Sequence, residues 1–269
     1  MTDNFNKAAM RRDDFRAVVE KEARKKFFTA CNTGDVLTIS QMIIQYPQCI
    51  DWTDPDDGRK TGLMIACATG DLKTAMALLI AGAKIDAQNE RGSSALMFAA
   101  MGDHTKVLKL LLDYRPDPDL QNIDGTTALM AAAWKGNAES CRLLMARGVN
   151  LDLQDTDGMT ALMFAVQEGN AEVVFELINE GANRELKNDT GQRALDIAIE
   201  RGFADLAEFI ENYDPAQKEP SEDEKLAQQL DNFKENVRDI NDKMKNRTPP
   251  EPEDNKLTSL AEKLRKAGF

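Results

Sequence analysis

The sequence predicts an all-α solenoid of short helix pairs stacked in phase, and three observations carry that prediction. Leu63, Leu96, Leu129, Leu162 and Leu195 are each 33 residues from the next, and a fixed period of that length marks repeat units piled on one another. The words around these leucines also return. Asp124-Gly-Thr-Thr-Ala-Leu-Met-Ala-Ala-Ala-Trp-Lys-Gly-Asn137 reappears as Asp157-Gly-Met-Thr-Ala-Leu-Met-Phe-Ala-Val-Gln-Glu-Gly-Asn170: a turn signal, a small Ala-rich helix and a glycine stop. The composition agrees. With 42% hydrophobic but only 6% aromatic residues, the core must be built from Ala, Leu and Met, which suits thin helices in close approach.

Along the chain, residues 1–24 are charged and carry Phe5, Phe15, Val18 and Val19, predicting an N-terminal helix that leads into or covers the first repeat. The repeat domain spans 25–212 in about six units. Its first unit is degenerate: Phe27–Asp35 fits the first-helix pattern and Thr38–Ile44 the second, followed by a loop from Tyr46 to Gly58 that holds Cys49. Phe27 lies 36 residues before Leu63, an insertion of 3. An end unit that turns one face to water is expected to be atypical in this way. From Gly58 to about Asn212 the units are regular. First helices stop at Gly70, Gly136, Gly169 and Gly202, with Gly102 displaced by one; glycine accepts the left-handed backbone that closes a helix. Second helices carry apolar clusters such as Leu110–Leu112 and Val173–Phe175, and most end at Gly82, Gly148 or Gly181. Neither helix is long enough to stand alone, so stability must come from faces buried between neighbours.

In the third repeat, Asp113-Tyr-Arg-Pro-Asp-Pro-Asp119 replaces the Gly-Ala turn. Either Arg115 adopts the left-handed conformation, at a cost of ~1–2 kcal/mol, or the two prolines reshape the turn. Both versions push Tyr114 and Arg115 toward solvent. Residues 213–269 leave the pattern. After a linker with two prolines, Leu226, Leu230, Phe233, Val237, Ile240 and Met244 recur at alternating steps of four and three, an apolar stripe on a charged helix over 222–246. A second short helix, Lys256–Ala267, follows a Pro-Glu-rich break. The stripe has three readings: a cover for Leu206, Phe209 and Ile210 of the last repeat, a self-associating coiled coil, or a tethered ligand for another protein or for the chain's own groove.

The residues that repeat in phase resemble those of the ankyrin-repeat family over roughly 25–212: the turn Asp or Gly, Thr-Ala-Leu at 127–129 and 160–162, the Ala pairs, the Gly-Asn or Gly-Asp ends, and Gly-Ala at 82–83 and 181–182. The resemblance implies an all-α ankyrin-repeat solenoid with β-turn fingers, flanked by the helical extensions, and a non-catalytic protein-binding module. One departure is systematic. Where the family reads Thr-Pro-Leu-His, this chain has Thr-Gly-Leu-Met, Ser-Ala-Leu-Met, Thr-Ala-Leu-Met twice, and Arg-Ala-Leu-Asp. The histidine that normally hydrogen-bonds the turn is thus Met64, Met97, Met130, Met163 or Asp196, and turn ordering is expected to lean on Thr hydroxyls and methionine contacts.

Other chemistries find little support. A net charge of −12 disfavours nucleic acid and anionic lipid, whose binding needs clustered Lys and Arg; a protein partner, and a basic segment of one, is the easier expectation. No stretch reaches the ~20 apolar residues of a membrane span, and the N-terminus has no apolar run of the secretory kind. The four cysteines, Cys31, Cys49, Cys67 and Cys141, lack paired spacing and read as free, mostly buried thiols in a reducing, cytoplasmic setting. His104 has no partner at motif spacing, and no phosphate loop or nucleophile elbow occurs. No catalytic residue, metal or cofactor is expected.

Binding is the positive case. The resemblance places partners on the concave side, formed by the finger tips and the exposed edge of the first helices. That edge lies five and six residues past each leucine and carries Met101, Trp134, Lys135, Gln167 and Glu168; the tips carry Arg91, Ser93, Ile123, Thr126 and Met159. With Tyr114 and Arg115 these residues form the candidate partner site. Trp134 lies one step beyond the core Ala positions 131–133. It either stands exposed between Met101 and Met159 as an apolar centre with a polar rim, or folds back onto Met163 or Met97. The partner-enzyme inhibitor and the subunit that self-associates through 222–246 are the alternative functions.

Overall fold

The computed structural model describes residues 12–213; residues 1–11 and the proposed helices at 222–246 and 256–267 lie outside them. Twelve α-helices alternate with fingers among the described residues. Helix α1 (Arg12–Thr33) and α2 (Val36–Gln45) form the first repeat. No glycine, proline or cap interrupts residues 12–33, so the expected extension and the first repeat's first helix are one continuous element through residues 24 and 25. The loop after α2 is also more structured than its sequence promised. A 3-10 helix (Pro47–Asp51) buries Cys49, and strand β1 (Thr53–Asp54) pairs antiparallel with β2 (Lys60–Thr61). The insertion seals the end of the stack: Trp52 is buried edge-on against Phe27, ring centroids 6.0 Å apart, with the Arg24 guanidinium 4.8 Å from its centroid.

Five further helix pairs follow: α3 (Gly62–Thr69) and α4 (Leu72–Ile80), α5 (Ala95–Met101) and α6 (Thr105–Asp113), α7 (Ala128–Lys135) and α8 (Ala138–Met145), α9 (Ala161–Gln167) and α10 (Ala171–Asn179), α11 (Ala194–Arg201) and α12 (Ala204–Asn212). Each first helix stacks on the next, and the alanines that permit this (Ala66, Ala99, Ala132, Ala165 and Ala198) are wholly buried. Helix starts are set by Thr61, Ser94, Thr127 and Thr160, whose hydroxyls accept the N–H of Met64, Met97, Met130 and Met163. In the first three of these repeats the methionine sulfur accepts the cap residue's own N–H at 3.4 Å, closing a capping box with a thioether in place of the usual carboxylate. In the last repeat Asp196 takes that role, accepting from the Arg193 N–H at 2.9 Å.

Helix ends follow the glycines with one exchange. Gly70, Gly136 and Gly202 cap their helices in the left-handed region. Beyond α5 the left-handed residue is Asp103, φ 52°, and Gly102 stays right-handed, which accounts for the displaced glycine. The residue after the stop then reaches back one repeat. Asn137 Nδ2 donates to the carbonyls of Ala100 and Met101 at 2.8 and 3.0 Å, and Asn170 Nδ2 to those of Ala133 and Trp134 at 2.8 and 3.2 Å. His104 does the same with Nε2, 3.1 Å from the Ala68 carbonyl. These links give the helix-end carbonyls of Ala68, Met101 and Trp134 a partner and add a second to those of Ala100 and Ala133, which also accept backbone N–H groups. On the outer face Arg142 donates to Glu172 and Glu176 at 3.1 and 2.9 Å, tying α8 to α10.

Candidate functional site

The fingers are clipped from within and laddered to one another. Asn122 Oδ1 accepts the N–H of Asp124 and Thr126 at 3.0 and 2.8 Å, and Asn89 does the same for Arg91 and Ser93. Between fingers, backbone rungs run from Ile123 N–H to the Arg91 carbonyl (3.0 Å) and from Thr156 N–H to the Asp124 carbonyl (2.9 Å). Gln88, Gln121 and Gln154 add side-chain bridges, each to its own finger and to the next. The rim is therefore held in register with the helices behind it.

Between fingers and first helices lies a cavity of about 610 Å³. Its floor is a column two residues past the anchor leucine: Phe98, Ala131 and Phe164. Met97, Met101, Met130 and Trp134 line its walls, and Lys60, Arg91, Ser93, Asp124 and Thr126 its mouth. Ala131 is the small member of this column, whose neighbours on both sides are phenylalanine. Lys60 is held at one end, Nζ 2.9 Å from Asp57 and 5.2 Å from the Phe98 ring centroid.

Of the expected site residues, the structure gathers Arg91, Ser93, Met101, Thr126 and Trp134 around this one cavity. Trp134 is 43% exposed and Met101 40%. Lys135 lies beside them rather than in the wall, its ammonium 3.9 Å from the Trp134 centroid and covering one ring face. Met159 differs from expectation. It is buried at 8%, its sulfur accepting from Asn188 Nδ2 at 3.6 Å, because it packs between two fingers; it does not flank Trp134 in the groove. Ile123 is exposed on its finger at 63% and Tyr114 at 45%, and neither reaches the cavity. Arg115 is left-handed, φ 55°, so the two prolines do not relieve the turn. Gln167 and Glu168 end α9, one repeat beyond Trp134, outside the cavity walls. Sequence reasoning missed Phe98, Ala131 and Phe164. The signal was present: one column of the repeat alignment reads Ile65, Phe98, Ala131, Phe164, Ile197.

The remaining chemistry is structural. All four cysteines are free and buried; desolvation pushes the thiols of Cys31 and Cys141 up to about 12 and Cys49 to about 11, away from the reactive thiolate. The hydrogen bonds that Arg142 donates to the carboxylates of Glu172, Glu176 and Glu139 raise its guanidinium further above the ordinary value. Among the described residues no group of His, Cys, Asp or Glu is arranged to hold a metal ion, and no helix is long and apolar enough to cross a membrane. What the arrangement offers is a preformed apolar recess with a polar, mixed-charge mouth.

The family model for ankyrin repeats (3 copies) matches residues 63–155 and 139–219, together more than half of the chain. No curated protein matches this sequence. The in-phase helix pairs, the left-handed stops and the laddered fingers agree with that match, and the chain belongs to the ankyrin-repeat family.

Proposed function

We propose that this chain is a non-catalytic adaptor or regulatory module that binds a protein partner in its concave groove, centred on Trp134. Ankyrin repeats generally mediate protein–protein interaction; the observation that supports this groove as the binding face is a half-exposed tryptophan beside Met101 on a recess lined by methionine and phenylalanine and edged by charged finger residues. Large aromatic anchors at the centre of such a surface carry most of the binding energy, while the polar rim excludes water. Four protonated, buried thiols suit a reducing, cytoplasmic compartment.

The test is affinity capture of partners with the wild type and Trp134→Ala side by side. The expected result is loss of one specific protein, with affinity falling by ~2 kcal/mol or about 30-fold, and little change in thermal stability because Trp134, 43% exposed, lies on the groove surface outside the alanine core. A Trp134→Ala variant that retains every captured protein at unchanged affinity refutes the concave-face reading.

A further inference from the structure

Resting on the concave-face reading, we infer that the recess over Ala131 is an anchor pocket for one bulky apolar side chain, aromatic or leucine, of an extended peptide. The peptide carries an acidic residue on the Arg91 side of that anchor and a basic residue on the Asp124 side. The shape argument comes from the floor. Phe98 and Phe164 fill their own positions, whereas Ala131 between them leaves the deepest room for a side chain in a groove cavity of about 610 Å³, a volume that holds the anchor together with the flanking peptide. Its walls are fixed before binding: Asn170 pins the Trp134 carbonyl, and backbone rungs pin the fingers at Arg91 and Asp124. Such a site loses little entropy on binding.

The charge argument comes from the mouth. Arg91 and Asp124 occupy the same finger position one repeat apart and form no ion pair among the described residues. Lys60 reinforces the positive side, although Asp57 shares its charge; Asp157 continues the negative side in the next finger. The sign of the rim thus reverses across the pocket. Packed units stand roughly 10 Å apart, which is about three residues of extended chain, so the two charges belong on either side of a single anchor. An extended segment also explains Asn89 and Asn122. Their Oδ1 atoms clip the fingers, while their Nδ2 groups, at the cavity wall, donate to nothing among the described residues and are placed to meet peptide carbonyls.

The experiment is selection from a displayed library of random heptapeptides against the full chain. Its readouts are the enriched residue pattern and the affinity of the enriched synthetic peptide. The inference expects Phe, Trp or Leu at one position, flanked by opposite charges about three residues apart, and at least tenfold weaker binding to Ala131→Phe. That variant is built to fold, since both neighbouring repeats carry phenylalanine in the same column; Ala131→Met serves if circular dichroism shows that it does not. Exchanging the charges with Arg91→Glu and Asp124→Lys should reverse the preferred order of acid and base. Peptides without a bulky anchor, unchanged binding to a folded Ala131→Phe protein, or an empty selection each overturn the inference. N-acetylphenylalanine amide binding as tightly as the heptapeptide also overturns it, in favour of a small-molecule site. If selected peptides are lost with Trp134→Ala but keep their affinity for Ala131→Phe, the anchor pocket fails while the concave-face reading stands.

Discussion

Arg115 follows α6 at the place where three other repeats have Gly82, Gly148 and Gly181, and it holds the same left-handed backbone, φ 55° against 92°, 74° and 93°. Its N–H donates to the Leu112 carbonyl at 3.2 Å, so the turn's hydrogen bond is kept. Pro116 follows, and a residue before proline is pushed toward extended backbone, which makes the left-handed state costlier still. Arg115→Gly is therefore predicted to stabilise the chain. Relief of ~1–2 kcal/mol of side-chain strain, offset by the greater freedom of glycine in the unfolded chain, leaves a gain of about 0.5–1 kcal/mol. Urea unfolding should show a higher midpoint at an unchanged slope. A lower midpoint would mean that the arginine side chain is held by contacts worth more than the strain. If stability rises while partner affinity falls, the strain is retained because Arg115 meets the partner.

At the scale of the element, α7 shows how a groove residue is positioned and how much of that could be read in advance. The helix starts at the Thr127–Met130 capping pair, stops at Gly136, and has its last carbonyls held by Asn170 of the next repeat. Asn170→Ala removes two hydrogen bonds at once and leaves the Trp134 carbonyl to water, while that of Ala133 keeps the Gly136 N–H. The expected cost is about 1–3 kcal/mol, with a further loss of partner affinity because the Trp134 backbone is released; chemical denaturation and binding measured on the folded fraction separate the two. The period, the glycine stops and the Gly-Asn signature make this helix legible, whereas the displaced Gly102 alone does not reveal that Asp103 takes the left-handed place. Which face of each first helix meets the groove was not legible. Helix α3 reads Gly-Leu-Met-Ile-Ala-Cys-Ala-Thr, apolar on every side, because its neighbours cover it on several, so hydrophobic periodicity cannot tell floor from core. Hence Phe98, Ala131 and Phe164 were passed over, and Met159, one step along a finger, was placed on the surface when it fills the space between two fingers. The 3-10 turn and hairpin after α2 were hidden for a related reason: Trp52 finds its partners, Phe27 and Arg24, about one repeat away.

For the whole molecule, stability in a stack is a sum of local terms and neighbour interfaces, so the placement of titrating groups decides which end yields first. Cys31 on α1, Cys49 on the 3-10 turn and Cys67 on α3 lie in the first two repeats, and Cys141 lies alone on α8. Desolvation raises Cys31 to about 12 and Cys49 to about 11, and Cys67 further still, from an ordinary 9.0. A raised thiol favours the folded state while protonated, so its contribution is complete below about pH 9. It drains away as pH climbs through the window to about 12, at ~1.4 kcal/mol per pH unit for each thiol. The N-terminal repeats are therefore predicted to open before the rest as the solution is made alkaline. The chain has 2 tryptophans, and Trp134→Phe leaves Trp52, buried against Phe27, as the reporter of that end. Its emission should shift to the red at a lower pH than helical circular dichroism is lost across the array. Cys31→Ala with Cys67→Ala, at the position where two sister helices carry Ala100 and Ala133, should move the Trp52 transition up by about one pH unit if thiol ionisation drives it. A transition that stays in place would remove the cysteines from the account.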